Sequence, residues 1–250
     1  MRKIIIAGNW KLNKTIAEAV ELVSEIKSQA DGVTNVDIVV CPVFTALSEV
    51  NKIVAGSNVG LGAQDLYWED SGAFTGEVSV PLLKDAGCQY VIIGHSERRQ
   101  YFGETNETVN SKVKAALAGG LIPIVCVGEN LEQREADKAF DVVKDHVENS
   151  LKGFSADEMK KIIVAYEPVW AIGTGKTASP AQAQEIHNFI RSLLKEMHND
   201  EVAESMRIQY GGSVKPENAK ELMGQKDIDG ALVGGAALKA ESFLGIIKNC

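Results

Sequence analysis

Residues 162–167 read Ile-Ile-Val-Ala-Tyr-Glu and lead into Pro168, and residues 122–127 read Ile-Pro-Ile-Val-Cys-Val. Both are short apolar runs rich in β-branched side chains, and neither alternates with polar residues. A strand with one wet face alternates, whereas a run that stays apolar at successive positions fits a parallel strand covered on both faces. Working outward, the same texture recurs at residues 4–8, 37–41, 59–63, 90–94, 206–210 and 228–233, so eight strands are expected. Between them apolar residues fall at helical spacing, as at Ala17, Val20, Val23 and Ile26, or at Ile186, Phe189, Ile190, Leu193 and Leu194. Alternating strand and helix implies a parallel sheet. Eight such units in 250 residues, with no composition break or linker, favour closure: the expected fold is α/β, a single-domain (β/α)8 barrel over residues 1–250.

The competing arrangement is an open, doubly wound sheet with a dinucleotide fingerprint after its first strand. That position holds Gly8-Asn9-Trp10-Lys11, which lacks the glycines that let a pyrophosphate approach the backbone. A composition of 45% hydrophobic and 24% charged residues is that of a globular protein, which argues against disorder. The formal net charge of −8 opposes binding to nucleic acid or an anionic membrane, yet leaves room for a small anion in a locally positive pocket. Cys41, Cys88, Cys126 and Cys250 show no CxxC or Cys/His spacing, so no metal set is expected and reduced cytosolic thiols are the simplest reading. The first apolar run ends at Gly8, too short for a signal peptide, and no stretch approaches the roughly 20 apolar residues that span a bilayer. A cytoplasmic protein is therefore expected, and the sequons at Asn13 and Asn106 read as chance matches.

In a parallel barrel the segments just past each strand converge on one mouth. Here they supply Asn9 and Lys11 after the first strand, His95, Ser96 and Glu97 after the fourth, Glu167 after the sixth, and Gly211, Gly212, Ser213, Gly234 and Gly235 after the last two. Two glycine pairs on adjacent strands, each ahead of a helix-like segment, suit a phosphate cradle built from backbone amides. Glu167, held by Pro168, can act as a general base, and Lys11 can meet developing negative charge. His95 stands at the start of a helical segment with Ser96 able to cap it, where amide dipoles disfavour an imidazolium and suit a neutral donor to a carbonyl. Taken singly, each has a structural alternative: a solvated lysine, a buried ion-pair carboxylate, a satisfied core histidine, tight Gly-Gly turns. His146, His187 and His198 sit in charged, helix-like surroundings and read as surface residues.

Two connections are longer than such units need. Residues 167–177 carry a small, glycine-rich centre between a stiff Pro-Val-Trp end and a Lys-Thr-Ala end, the build of a hinged lid. Gly175-Lys176-Thr177 matches the end of a P-loop, but Trp170 occupies the position of its first glycine. Residues 65–79 carry Tyr67, Trp68 and Phe74, which suits a segment that packs into a partner subunit; a loop folded onto its own barrel is the alternative. A base, an electrophile, an anion anchor and a lid together suit proton abstraction beside a carbonyl, with no cofactor implied. A noncatalytic phosphate-binding barrel and a Schiff-base aldolase are the rival readings.

The motifs in order, GNWK at 8–11, GAFTGEVS at 72–79, GHSERR at 94–99, AYEPVWAIGTGKTA at 165–178, YGGSV at 210–214 and LVGGAAL at 232–238, resemble the triosephosphate isomerase family over essentially the whole chain. The resemblance implies interconversion of dihydroxyacetone phosphate and D-glyceraldehyde 3-phosphate by a homodimer, in glycolysis and gluconeogenesis. It implies that Glu167 shuttles the proton, that His95 polarises the carbonyl, and that Lys11 and Asn9 serve the electrophilic side with Ser96 and Glu97 in support. Glu129 would contact Trp170 of the lid, and backbone at Gly173, Ser213, Gly234 and Gly235 would hold phosphate. Thr75 would reach the neighbouring active site across the dimer interface. Leu12, where Met is more frequent, and Asp65, where Asn is common, depart from the pattern and bear on interface detail.

Overall fold

The computed structural model describes residues 2–171 and 178–250. The first half of the chain runs β1 Ile4–Asn9, α1 Ile16–Ala30, β2 Val36–Cys41, α2 Leu47–Val54, β3 Val59–Ala63, α3 Val80–Asp85, β4 Tyr90–Ile93, α4 Ser96–Phe102 and α5 Asn106–Ala118. The second continues with β5 Ile122–Val127, α6 Leu131–Glu135, α7 Ala139–Ser150, α8 Ala156–Met159, β6 Ile163–Tyr166, α9 Pro180–Met197, α10 Asp200–Ser205, β7 Arg207–Tyr210, α11 Pro216–Met223, β8 Gly230–Val233 and α12 Ala240–Lys248. All eight expected strands form, each within two residues of its apolar run at either end. They pair in parallel in sequence order and close into a barrel, β1 meeting β8 with Ile6 opposite Ala231.

Because successive strand residues point to opposite faces, each apolar run divides between two cores. Ile5 and Ala7, Val39 and Cys41, Ile92, Ile124 and Cys126, Ile163 and Ala165, and Leu232 meet as one cluster, the barrel interior. Their neighbours Ile6, Ile38, Val40, Val91, Ile93, Val125, Val127, Val164 and Tyr166 join the helix side chains in the larger cluster. Burial of both faces, worth about 1.5–3 kcal/mol per Val or Ile side chain, is why the runs carry no polar alternation.

The helices correct some of the expectations. On α1 the buried stripe is Ala19, Leu22, Val23, Ile26 and Ala30; Ala17 is exposed and Val20 half-buried. A strict spacing of three drifts by about 60° per step against a turn of 3.6 residues, so Ala17 and Ile26 lie on opposite sides. On α9 the expected stripe is buried at Ile186, Ile190, Leu193 and Leu194, while Phe189 is half-buried with its ring edge-on to Phe140. The histidine readings fail at two positions. His187 is fully buried on α9, its Nδ1 against the Asp227 carbonyl at 3.2 Å, and burial pushes it down to about 3. His146 is half-buried on α7 and is pushed by burial, then by Arg99, down to about 4. Both face the barrel because the apolar face of each helix includes them, which their charged sequence neighbours conceal.

In the segment from Asp65 to Ser79 the three aromatics stack on one another, Tyr67 lying 4.2 Å from Trp68 and 4.7 Å from Phe74 between ring centres. Tyr67 and Trp68 are half-buried, whereas residues 69–77, with Phe74 and Thr75, are exposed.

Candidate active site

The inward alternation of the strands continues past their ends. Asn9 follows Ile5 and Ala7, Glu167 follows Ile163 and Ala165, and Gly234 follows Leu232, so each emerges over the barrel interior at the mouth. A cavity of about 330 Å³ opens there, lined among others by Asn9, Lys11, His95, Glu167, Ser213 and Gly234.

Glu167 is 2% exposed. Its Oε1 lies 2.9 Å from His95 Nε2, and its Oε2 accepts the Ser96 backbone N–H at 2.9 Å. Burial works against the charged carboxylate, but His95 and the Ser96 amide outweigh it, and Glu167 lies below the ordinary glutamate value. For His95, burial opposes the imidazolium, while the Glu167 and Glu97 carboxylates favour it and carry the net upward. His95 itself is the N-cap of α4: its Nδ1 accepts the Glu97 backbone N–H at 3.2 Å. Ser96 is therefore not the cap, as expected from its residue type, but the first helical residue, and its amide serves Glu167 instead. The amide donor at Nδ1 assigns the proton of the neutral ring to Nε2, the nitrogen facing Glu167 and the cavity.

Lys11 takes φ +52°, a left-handed conformation uncommon for a residue with a side chain, and is held there from two sides. Its N–H donates to Asn9 Oδ1 at 3.0 Å, and its carbonyl accepts from Gln64 Nε2 at 2.9 Å. Its Nζ reaches Glu97 Oε1 at 2.5 Å, which brings the ammonium to the edge of the cavity beside His95. Glu129 is fully buried and accepts from Trp170 Nε1 at 2.8 Å and from the Tyr166 hydroxyl at 3.1 Å, so the expected contact between Glu129 and Trp170 is present.

The two glycine pairs differ. A Cβ on Gly211 would come 2.8 Å from Glu167 Cγ, and one on Gly212 would come 2.2 Å from the Tyr210 hydroxyl, so this pair is demanded by packing. Among the described residues, the nearest atom to a Cβ added at Gly234 is Lys11 Cε at 3.5 Å and none lies within 4 Å of one added at Gly235, so this pair borders the cavity. The pairs also do not both start helices: Gly235 opens a single 3-10 turn, while α11 begins at Pro216, beyond Ser213, Val214 and Lys215. Gly173 lies outside the described residues. Thr75 is exposed and does not line its own chain's cavity. The sequence reading missed Leu232, which lines the cavity and which the inward alternation of β8 would have supplied, and Gln64, which stands just past the end of β3 at the same mouth.

A carboxylate, an imidazole and an ammonium around one cavity at the C-terminal mouth of a parallel barrel suit proton transfer on a small anion, as a phosphosugar isomerase requires. Residues 4–250 match the family model described as triosephosphate isomerase. Over 248 residues the chain is 58% identical to the triosephosphate isomerase of Alkaliphilus metalliredigens, covering 99% of this chain and 100% of that protein. The corresponding protein of Trichlorobacter lovleyi is 60% identical, with 99% of each chain covered. The chain belongs to the triosephosphate isomerase family.

Proposed function

We propose that the chain interconverts dihydroxyacetone phosphate and D-glyceraldehyde 3-phosphate through an enediolate, with Glu167 as the proton carrier. As a member of its family it is an aldose–ketose isomerase, an intramolecular oxidoreductase. The observation that carries the assignment of roles is the approach of Glu167 Oε1 to His95 Nε2 at 2.9 Å on the wall of a cavity that Lys11 also borders. A substrate carbonyl oxygen placed at Nε2 replaces the carboxylate there, and Glu167 turns to the adjacent C–H. The C–H electron pair becomes the C=C of the enediolate as Glu167 takes the proton; the hydroxyl proton then passes from the first carbon's oxygen to the former carbonyl oxygen by way of His95 Nε2, and return of the carbon-bound proton to the neighbouring carbon completes the isomerisation. His95, donating from Nε2, and the Lys11 ammonium stabilise the enediolate oxygens, with Asn9 and Glu97 fixing Lys11 and the Ser96 amide holding Glu167 between turnovers.

The phosphate sits against backbone N–H groups of Ser213, Gly234 and Gly235, with Gly173 contributed by the connection after β6. Lack of a Cβ at Gly234 and Gly235 supports this, since no described residue fills the space beside Gly235 and only Lys11 comes near that beside Gly234. The end of that connection at Pro168–Trp170 is clamped by Glu129, as the hinge of a lid requires. The whole chain works as one catalytic unit in a homodimer. In support, Leu12 is 95% and Phe102 68% exposed beside a groove of about 650 Å³ that runs up to Lys11 and His95, a seat for the aromatic segment and Thr75 of a second copy. It acts in the cytoplasm, in glycolysis and gluconeogenesis; among the described residues no helix is long and apolar enough to cross a membrane.

The test is a coupled isomerase assay on Glu167→Gln. Turnover falls at least about a thousandfold, in keeping with loss of a positioned general base and its charge, while competition by inorganic phosphate persists. Full activity in that variant overturns the assignment of the base.

A further inference from the structure

The end of β5 grips the peptide that carries Glu167. The Glu167 N–H donates to the Val127 carbonyl at 2.8 Å, and two residues on the Val169 N–H donates to the Glu129 carbonyl at 3.0 Å. Between these bonds lies Gly128, so close that a Cβ on it would come 1.8 Å from the Glu167 carbonyl oxygen and 3.2 Å from its Cα. Contact this tight transmits any shift of Gly128 to the backbone from which the carboxylate projects. Gly128 donates its own N–H outward, away from the cavity, to His146 Nδ1 on α7 at 3.3 Å. His146 does not line the cavity. Burial keeps its ring neutral, so that Nδ1 stays available as an acceptor, and Arg99 beside it adds to that effect.

We infer that His146 is a positioning residue for proton transfer: it anchors the Gly128 amide, and Gly128 fixes the backbone that aims Glu167. This rests on Glu167 being the base. None of the sequence motifs reaches as far as His146, and nothing in the reaction itself calls for it; its place follows from the chain of contacts alone. Loss of the anchor lets the β5 end relax, the carboxylate swings from a displaced origin, and the cost falls on the chemical step while the phosphate cradle on β7 and β8 is untouched.

The test compares His146→Leu, which removes the acceptor, with His146→Asn, whose Oδ1 occupies the place of Nδ1 and accepts from Gly128. The Leu variant shows kcat lowered about threefold to tenfold, the worth of one neutral hydrogen bond, with KM and inhibition by inorganic phosphate unchanged. The Asn variant returns at least half of the lost kcat. Wild-type kcat in the Leu variant, equal losses in both variants, or kcat and KM moving together would overturn the inference. Should His146→Leu fail to fold, His146→Gln takes its place, because its amide oxygen lies one bond too far out; kcat below that of the Asn variant supports the inference, and equal kcat overturns it. Glu167→Gln is assayed alongside. Activity retained there overturns the assignment of the base, whereas activity lost there together with unchanged kcat in His146→Leu overturns the positioning role alone.

Discussion

Replacing Gly211 by Ala adds one methyl group in the space that Glu167 occupies. The new carbon would stand 2.8 Å from Glu167 Cγ and 3.0 Å from the Tyr166 carbonyl oxygen. Carbon pairs settle at about 3.5–4.0 Å, so the contact must open by about 0.7 Å or more. The Tyr166 side of the wedge cannot yield easily, because that carbonyl already accepts the Gly211 N–H at 2.7 Å, so the movement falls on the Glu167 side chain. Displacement of about 1 Å at a reacting group costs about a hundredfold in rate, and on that scale kcat falls about tenfold to thirtyfold. Overpacking also destabilises by about 1–3 kcal/mol, read as a fall in thermal midpoint of a few degrees. Steady-state kinetics with inorganic phosphate as competitor separate the two effects. Phosphate inhibition stays unchanged, because Ser213, Gly234 and Gly235 are not displaced. Unchanged kcat, or weakened phosphate binding at full kcat, would refute the reasoning.

Three further outcomes follow from buried groups. Arg191, 6% exposed, bridges Asp227 and Asp229 at 2.7 and 2.6 Å; Arg191→Met leaves both carboxylates without it and costs about 3–5 kcal/mol in urea unfolding, with KM unchanged. His187 is depressed by burial from 6.5 to about 3, so the unfolded chain binds the extra proton: its contribution is whole above pH 6.5 and is lost as pH falls toward 3, and His187→Leu flattens that limb of a stability–pH curve. Asp65 is raised by burial from 3.8 to about 6 although Lys112 lies at 2.7 Å and Arg98 at 2.9 Å. Here the folded state holds the extra proton, so this carboxyl's contribution to stability declines as pH rises above the unfolded value of 3.8, and Asp65→Asn removes that decline from the pH dependence of denaturation.

Most of the fold was legible because a parallel strand buried on both faces leaves short, β-branched apolar runs without polar alternation, and eight of them alternate with helical segments, as around Ile122–Val127 and Ile163–Tyr166. The helix faces were less legible: spacing around α1 suggested Ala17, and only the cap at Thr15 and the packing of the barrel turn the stripe to Ala19 and Leu22. Lys11, His95 and Glu167 were found as residues just past strand ends, since alternation along a strand fixes where the next side chain emerges. Their partners were not. That Glu97 takes Lys11 and that Gln64 holds the Lys11 carbonyl depend on contacts between segments far apart in sequence, while the cap of α4 by the His95 ring is local but carried by a residue type that the usual capping preferences pass over in favour of Ser96. His187 was misread because residue type near charged neighbours says nothing of which way one position on α9 faces.

The alternation that fills the barrel interior with Ile163 and Ala165 is the same one that delivers Glu167 to the mouth. Strand length and chemistry are thereby written in a single parity. Insertion or loss of one residue within β6 would leave a run still apolar enough to join the sheet while turning its terminal acid toward the helices, so a lineage can change the length of this strand only two residues at a time.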